Sequence, residues 1–269
     1  MFPPARIVCL TEETVETLYL LGEEARIVGI SGYTVRPPRA RREKPRVSAF
    51  TSADGDKIAA LAPDLVLAFS DLQGEIAADL ARRGIAVHLF NQRDIAGILD
   101  MVRLLGAMAG AGERAERLAA SLADRVAEAR RQSAALARRP RIFFEEWDEP
   151  LISAIGWVSE LIEAAGGIDI FAERRRGQAA RQRIVTAEEV AERAPDIIVG
   201  SWCGKKFRPE RVASRAHFAE VPAVIAGELH EIKSPLIRQP GPAALTDGLA
   251  ALQRIIGGWA ARQGLSTTI

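Results

Sequence analysis

Asp56-Lys57-Ile58-Ala59-Ala60-Leu61-Ala62-Pro63-Asp64-Leu65-Val66-Leu67-Ala68-Phe69-Ser70 returns, in altered form, as Glu188-Glu189-Val190-Ala191-Glu192-Arg193-Ala194-Pro195-Asp196-Ile197-Ile198-Val199-Gly200-Ser201-Trp202. Each copy reads as a short amphipathic helix, an Ala-Pro-Asp break that cannot continue it, and an apolar run of strand length ending at an aromatic, Phe69 or Trp202. One unit used twice predicts two related lobes, and two such lobes facing each other predict a cleft.

Around the first copy, strand-like runs at 6–10, 26–30, 65–69 and 86–90 alternate with helical patterns at 12–21, 54–61, 73–83 and 95–108, which predicts a mostly parallel α/β sheet. Thr11 stands as an N-cap before Glu12 and Glu13, so the first strand ends at a helix N-terminus. From Glu113 to Arg139 the chain is rich in Ala, Arg, Glu and Leu, with Leu118, Leu122, Val126 and Ala129 on one stripe, predicting one long rigid helix up to Pro140. A second series follows: a strand at 141–145, a helix at 157–165 stopped by Gly166-Gly167, and a helix at 186–193 opened by a Thr186/Glu189 capping box. Beyond the strand at 197–201, weaker strands are expected near Ala223 and at 229–232, and a final helix from Pro242 to about Trp259. The expected organisation is an N-terminal α/β lobe over residues 1–111, a linking helix over 112–139 and a C-terminal α/β lobe over 140–269, the two lobes Rossmann-like.

Composition narrows the function. Lys+Arg 36 against Asp+Glu 35 leaves a net charge of +1, so no global field recruits nucleic acid or an anionic membrane. Cys9 and Cys203 lie far apart, without disulfide or zinc spacing, and read as small apolar residues. Charge interrupts every apolar run short of the roughly 18 residues a membrane span needs. The N-terminus carries no basic n-region, apolar h-region or cleavage site, which leaves a cytoplasmic protein, or an exported one whose signal is gone, as the two readings.

In open α/β sheets ligands bind beyond the carboxyl ends of the strands. That rule selects Thr11 and Glu12, Tyr33, Phe50, Phe69-Ser70-Asp71, and Asn91-Gln92 in the first lobe. In the second it selects Glu145-Glu146-Trp147, Trp202-Cys203 and Ile237-Arg238-Gln239. The chain is only 6% aromatic, yet Tyr33, Phe50, Phe69, Trp147 and Trp202 all fall here, an arrangement suited to a large, flat, partly apolar ligand. The long stretch from Ser31 to Ala53 carries Arg36, Arg39, Arg41, Arg42, Lys44 and Arg46, and a second basic cluster holds Arg174, Arg175, Arg176, Arg181 and Arg183. Both are expected either to line the cleft rim or to be solvated. Glu145 and Glu146 are adjacent on a strand and point to opposite faces, so they cannot meet one ligand together. No histidine pair has metal spacing, no acid/base pair is convincing, and Gly200 to Lys206 misses the phosphate-loop spacing by one residue. Neither a metal site nor a catalytic residue is assigned.

Several stretches together resemble the class III, or helical-backbone, substrate-binding proteins of ABC importers for vitamin B12, ferric siderophores and haem. They are Arg6-Ile7-Val8-Cys9-Leu10-Thr11-Glu12-Glu13-Thr14, Gly29-Ile30-Ser31-Gly32-Tyr33 followed by Pro37-Pro38, Val47-Ser48-Ala49-Phe50, and Ile58 to Phe69. Within that family the chain is most similar to the B12-binding branch. The resemblance implies that Tyr33, Phe50 and Phe69 contact a corrinoid, bound as ligand and not as catalytic cofactor. Trp202, Glu146, Trp147 and Arg238 would close the site from the second lobe, on strand-end logic. It also implies a monomer that docks on a membrane permease through one acidic residue per lobe, Asp56 and Glu210, and a periplasmic or extracellular location. The alternatives are a receptor for haem or a ferric siderophore, with Tyr33 placed to meet iron, and a cytoplasmic sensor or enzyme on the same scaffold.

Overall fold

The computed structural model describes residues 2–265. By contacts the chain forms two compact units, one of residues up to Gln92 with Ala96–Ala123 and Gln239–Pro242, the other of Arg93–Ile95, Asp124–Arg238 and the residues from Ala243 onward.

The first half of the chain runs β1 (Ile7–Cys9), α1 (Glu12–Leu20), β2 (Ile27–Ser31), α2 (Ala40–Glu43), β3 (Arg46–Ser48), α3 (Gly55–Ala60), β4 (Leu65–Phe69), α4 (Gly74–Arg82), β5 (Val87–Phe90) and α5 (Ile95–Met108). Its five strands are all parallel, in the order β3-β2-β1-β4-β5. Val8, Leu10, Ile58, Val66, Ala68 and Leu80 form a buried core on this sheet. Helix α6 (Gly112–Ser133) follows and divides between the units after Ala123.

The second half runs β6 (Arg141–Glu145), β7 (Trp147–Asp148), β8 (Leu151–Ile152), α7 (Gly156–Ala164), β9 (Ile168–Asp169), α8 (Ala187–Glu192), β10 (Ile197–Gly200), α9 (Pro209–Ala213), α10 (Pro222–Ile225), β11 (Leu229–Glu231), α11 (Ser234–Ile237) and α12 (Leu249–Arg262). Four parallel strands take the order β11-β10-β6-β9, and β7 and β8 form a separate antiparallel hairpin. The core here is aromatic, with Phe143, Phe171, Trp202, Phe207 and Phe218 packed around Ile198. Among the described residues no helix is long and apolar enough to cross a membrane.

The repeated Ala-Pro-Asp segment performs the same local task in both units. Ala62 and Ala194 end α3 and α8 with φ of 43° and 40°, the left-handed conformation that stops a helix, and the following proline cannot resume it. Asp64 then accepts the backbone N–H groups of Ala5 and Arg6 at 2.8 and 3.0 Å, and Asp196 accepts that of Arg141 at 2.8 Å. Arg6 returns the contact to the Leu61 carbonyl at 2.6 Å, as Arg141 does to the Arg193 carbonyl at 2.7 Å. The motif thereby fixes where β1 and β6 begin beside β4 and β10. Left-handed alanine costs about 1 kcal/mol relative to glycine. Ala62→Gly and Ala194→Gly are therefore each expected to raise unfolding free energy by roughly 0.5–1 kcal/mol in urea titrations, despite adding flexibility to the unfolded chain.

Two expectations need correction. The segment near Ala223 is not a strand but the short helix α10, because Pro222 occupies its first turn and Ala223 donates to the Pro195 carbonyl. Helix α6 ends at Ser133, short of Arg139: the Ala134 N–H still reaches the Arg130 carbonyl, but those of Ala135 and Leu136 turn to the carbonyls of Gln132 and Ser133, the tighter bonding in which helices end.

Candidate functional site

Strand order reverses direction of growth between β1 and β4 in the first sheet and between β6 and β10 in the second. At such switch points the connections leave on opposite faces and open a crevice beyond the carboxyl ends. In the first unit the switch point falls at Leu10-Thr11 and Phe69-Ser70, in the second at Glu145-Glu146 and Ser201-Trp202.

Three loops surround the first-unit switch point. Tyr33, 61% exposed, follows β2 in a turn where its N–H donates to the Ser31 hydroxyl at 3.3 Å. Phe50, partly exposed, sits in a tight turn closed by the Ala49 N–H to Ser52 carbonyl bond at 2.8 Å and the Asp54 N–H to Val47 carbonyl bond at 3.2 Å. Phe69 ends β4 and is only 5% exposed. Directly after it Ser70 takes a left-handed φ of 62°, and its hydroxyl accepts the Leu72 N–H at 3.3 Å. The apolar surface offered at the end of β4 is therefore that of Leu72, 59% exposed, a residue outside the strand-end set that the sequence pattern selects.

Behind these loops lie two buried acids. Glu12 accepts the Val35 N–H at 2.7 Å, and Glu13 accepts the Thr11 hydroxyl at 2.6 Å. Burial pushes the Glu12 carboxyl up to about 8, against the Val35 N–H and with help from Glu16 and Glu13. Burial likewise pushes Glu13 up to about 7, against the Thr11 hydroxyl.

At the second-unit switch point, Glu145 and Glu146 separate as strand alternation requires. Glu145 is fully buried, accepts a bidentate pair from Arg215 at 2.5 and 2.7 Å, and takes the Trp202 indole N–H at 2.9 Å. Burial raises its carboxyl despite those donors. Glu146 lies between two guanidiniums, Arg183 at 2.5 Å and Arg238 at 2.8 Å. Arg238 also donates to the carbonyls of Glu146 at 3.0 Å and Ser201 at 3.2 Å, so it spans the ends of β6 and β10. Trp147 is partly exposed, its indole N–H bonded to the Glu149 carbonyl at 2.9 Å. The Lys205 ammonium lies 4.0 Å from the centroid of the Trp147 ring and pairs with Asp148.

These placements redistribute the roles expected from sequence. Tyr33, Phe50 and Trp147 present aromatic surface at strand ends. Trp202, 3% exposed, is packed edge-on against Phe207 at 5.1 Å in the core. Glu146, 6% exposed, has both oxygens engaged and serves to hold Arg238. Arg183, expected at a rim or in solvent, is 1% exposed, and Arg36, Arg39 and Arg175 pair with Glu16, Glu24 and Glu163. Asp56 projects into solvent and pairs with Arg83 at 2.6 Å, while Glu210 is exposed in the first turn of α9. Cys9 is buried, its thiol pushed up to about 12 by burial, as a small apolar residue would be. Cys203 is instead exposed, in the loop after β10.

Known proteins resemble this chain in sequence and in fold. The chain is 26% identical over 253 residues to the vitamin B12-binding protein of Vibrio cholerae, covering 91% of this chain and 86% of that one. It is 25% identical over 245 residues to the cobalamin-binding protein of Halobacterium salinarum, covering 89% of this chain and 66% of that one. Among solved structures, the periplasmic vitamin B12-binding protein BtuF of Vibrio cholerae superposes with a TM-score of 0.75 at 24% identity, covering 96% of this chain and 98% of that one. The periplasmic heme-binding protein RhuT of Roseiflexus superposes with a TM-score of 0.79 at 22% identity, covering 93% and 98% respectively. Residues 7–236 match the family described as periplasmic binding protein, and this chain belongs to that family.

Proposed function

We propose that this protein is the substrate-binding component of an ABC importer and captures a corrinoid, without catalysing a reaction on it. The observation that carries the reading is the presence of Tyr33, Phe50 and Trp147, in an aromatic-poor chain, as accessible rings at the carboxyl ends of parallel strands. The relatives named for vitamin B12 and cobalamin support the ligand class. A corrinoid offers a broad apolar face edged with amides. Aromatic surface takes up the face, and backbone and guanidinium donors such as those around Arg238 take up the polar edge. Delivery runs to a membrane permease through Asp56 and Glu210, outside the cytoplasm.

Titration with cyanocobalamin and cobinamide, followed by heat and by tryptophan quenching, tests the reading. Phe50→Ala and Trp147→Ala are each expected to weaken binding by about 10-fold, the ordinary worth of one aromatic contact. The absence of both heat and spectral change at tens of micromolar protein would overturn the corrinoid assignment. A second reading, haem, draws on the accessible phenol of Tyr33 and on the heme-binding structure of the same fold. It requires a Soret band with added haemin that Tyr33→Phe abolishes.

A further inference from the structure

We propose that Gln73 is a positioning residue for the ligand face of the first unit, fixing Phe50 against the ends of β1 and β4 through its side-chain amide. The inference rests on the reading above that these strand ends hold the ligand. Gln73 is 0% exposed. Its Oε1 accepts the Phe69 N–H at 3.0 Å, and its Nε2 donates to the Leu10 carbonyl at 3.3 Å and to the Phe50 carbonyl at 2.8 Å. These partners admit one amide orientation, since the inverted group would set donor against donor and oxygen against two carbonyls.

The three anchors come from three separate places in the chain. Leu10 follows β1, Phe69 ends β4, and Phe50 belongs to the turn between β3 and α3. That turn closes on itself through the Ala49 to Ser52 bond and the Ser48–Ala53 bridge, and Gln73 ties it to the sheet. Ser70 makes this possible: its left-handed backbone turns the chain sharply, with the Gln73 N–H returning to the Ser70 carbonyl at 3.1 Å. As a result Leu72 faces out while Gln73 faces in. A contact residue on a short turn binds well only if the turn is held in place before the ligand arrives, because ordering it afterwards subtracts from affinity.

Gln73→Met keeps the length of the side chain and removes all three bonds. Cyanocobalamin and haemin would be titrated against the parent, Gln73→Met, Phe50→Ala and the double variant, with amide exchange read on the unliganded proteins. Gln73→Met is expected to weaken the bound probe by about 10-fold and to speed exchange in the segment 47–54 while leaving β2 unchanged. The double variant is expected to bind within about 2-fold of Phe50→Ala, because Gln73 acts through that ring. Parental affinity in Gln73→Met, or a double variant whose loss is the product of the two single losses, overturns the proposal. A parent that binds neither probe overturns the ligand reading and the positioning role with it. Should Gln73→Met fail to fold, Gln73→Glu replaces it. Its protonated carboxyl retains one donor and one acceptor, so its affinity relative to the parent is expected to fall as pH rises. A ratio independent of pH overturns the proposal.

Discussion

Replacing Glu146 by leucine is expected to lower unfolding free energy by about 3–5 kcal/mol, the usual cost of removing one member of a buried ionic group. Among the described residues the Glu146 carboxylate is the acid that both Arg183 and Arg238 bond, and Arg183 is 1% exposed. Burial opposes the charge on Glu146, yet Arg238 and Arg183 together outweigh it and hold the carboxyl below the usual carboxylate range. The leucine variant keeps comparable bulk but leaves two guanidiniums facing each other. Arg183 would retain the carbonyls of Ser153 at 2.6 Å and Gly177 at 3.1 Å, and Arg238 that of Ser201, which satisfies protons without cancelling charge. At roughly 2–4 °C per kcal/mol for a chain of this size, the thermal midpoint should fall by about 10 °C. Urea titration checks the free energy, and a loss below about 1 kcal/mol would mean that water already screens the group.

The parts of this fold that were legible in the sequence are those set by local chemistry. Strands β4 and β6 and helix α5 have the ends expected of them, because each apolar run is bounded by a residue that cannot continue it, Pro63-Asp64 before β4 and Pro140 before β6. The Thr186/Glu189 capping box is present with both of its bonds, at 3.1 and 2.7 Å. What depends on distant partners was not legible. Arg183 stands in an arginine-rich stretch, and nothing local separates it from Arg176 or Arg181, which are exposed. Its partner Glu146 is 37 residues away. Trp202 was expected at a ligand face because it follows a strand, but Phe207, five positions on, folds back beneath it, and Glu145 takes its indole N–H. Gln73 reads as the beginning of a helix and Leu72 falls in the stretch before it, and only the left-handed turn at Ser70 sends Leu72 outward and Gln73 inward.

Stability is expected to decline as pH rises from about 5 to about 8.5, through Glu12 and Glu13 in the first turn of α1. A helix N-terminus favours a carboxylate by at most about 1–2 kcal/mol, and burial here exceeds that. The folded carboxyls stand at about 8 for Glu12 and about 7 for Glu13, against 4.5 as the ordinary value. The folded protein therefore holds these protons more tightly than the unfolded chain does. Their contribution to stability is fully present below 4.5, shrinks above it, and is lost once pH passes through 7 and 8. Glu146 has the opposite sign: its carboxyl is depressed, so its contribution is present above the ordinary carboxylate value and lost as pH falls. The two effects together place maximum stability at mildly acidic pH. Each pK unit corresponds to about 1.36 kcal/mol at most, and relaxation on ionisation reduces this to about half. Glu12→Gln and Glu13→Gln isolate the charge, since a glutamine oxygen can still accept the Val35 N–H or the Thr11 hydroxyl. Each variant should melt with the parent at about pH 5 and roughly 3–8 °C above it at about pH 8.5. Melting curves that stay parallel to the parent across that range would show that these buried carboxyls do not set the alkaline limit.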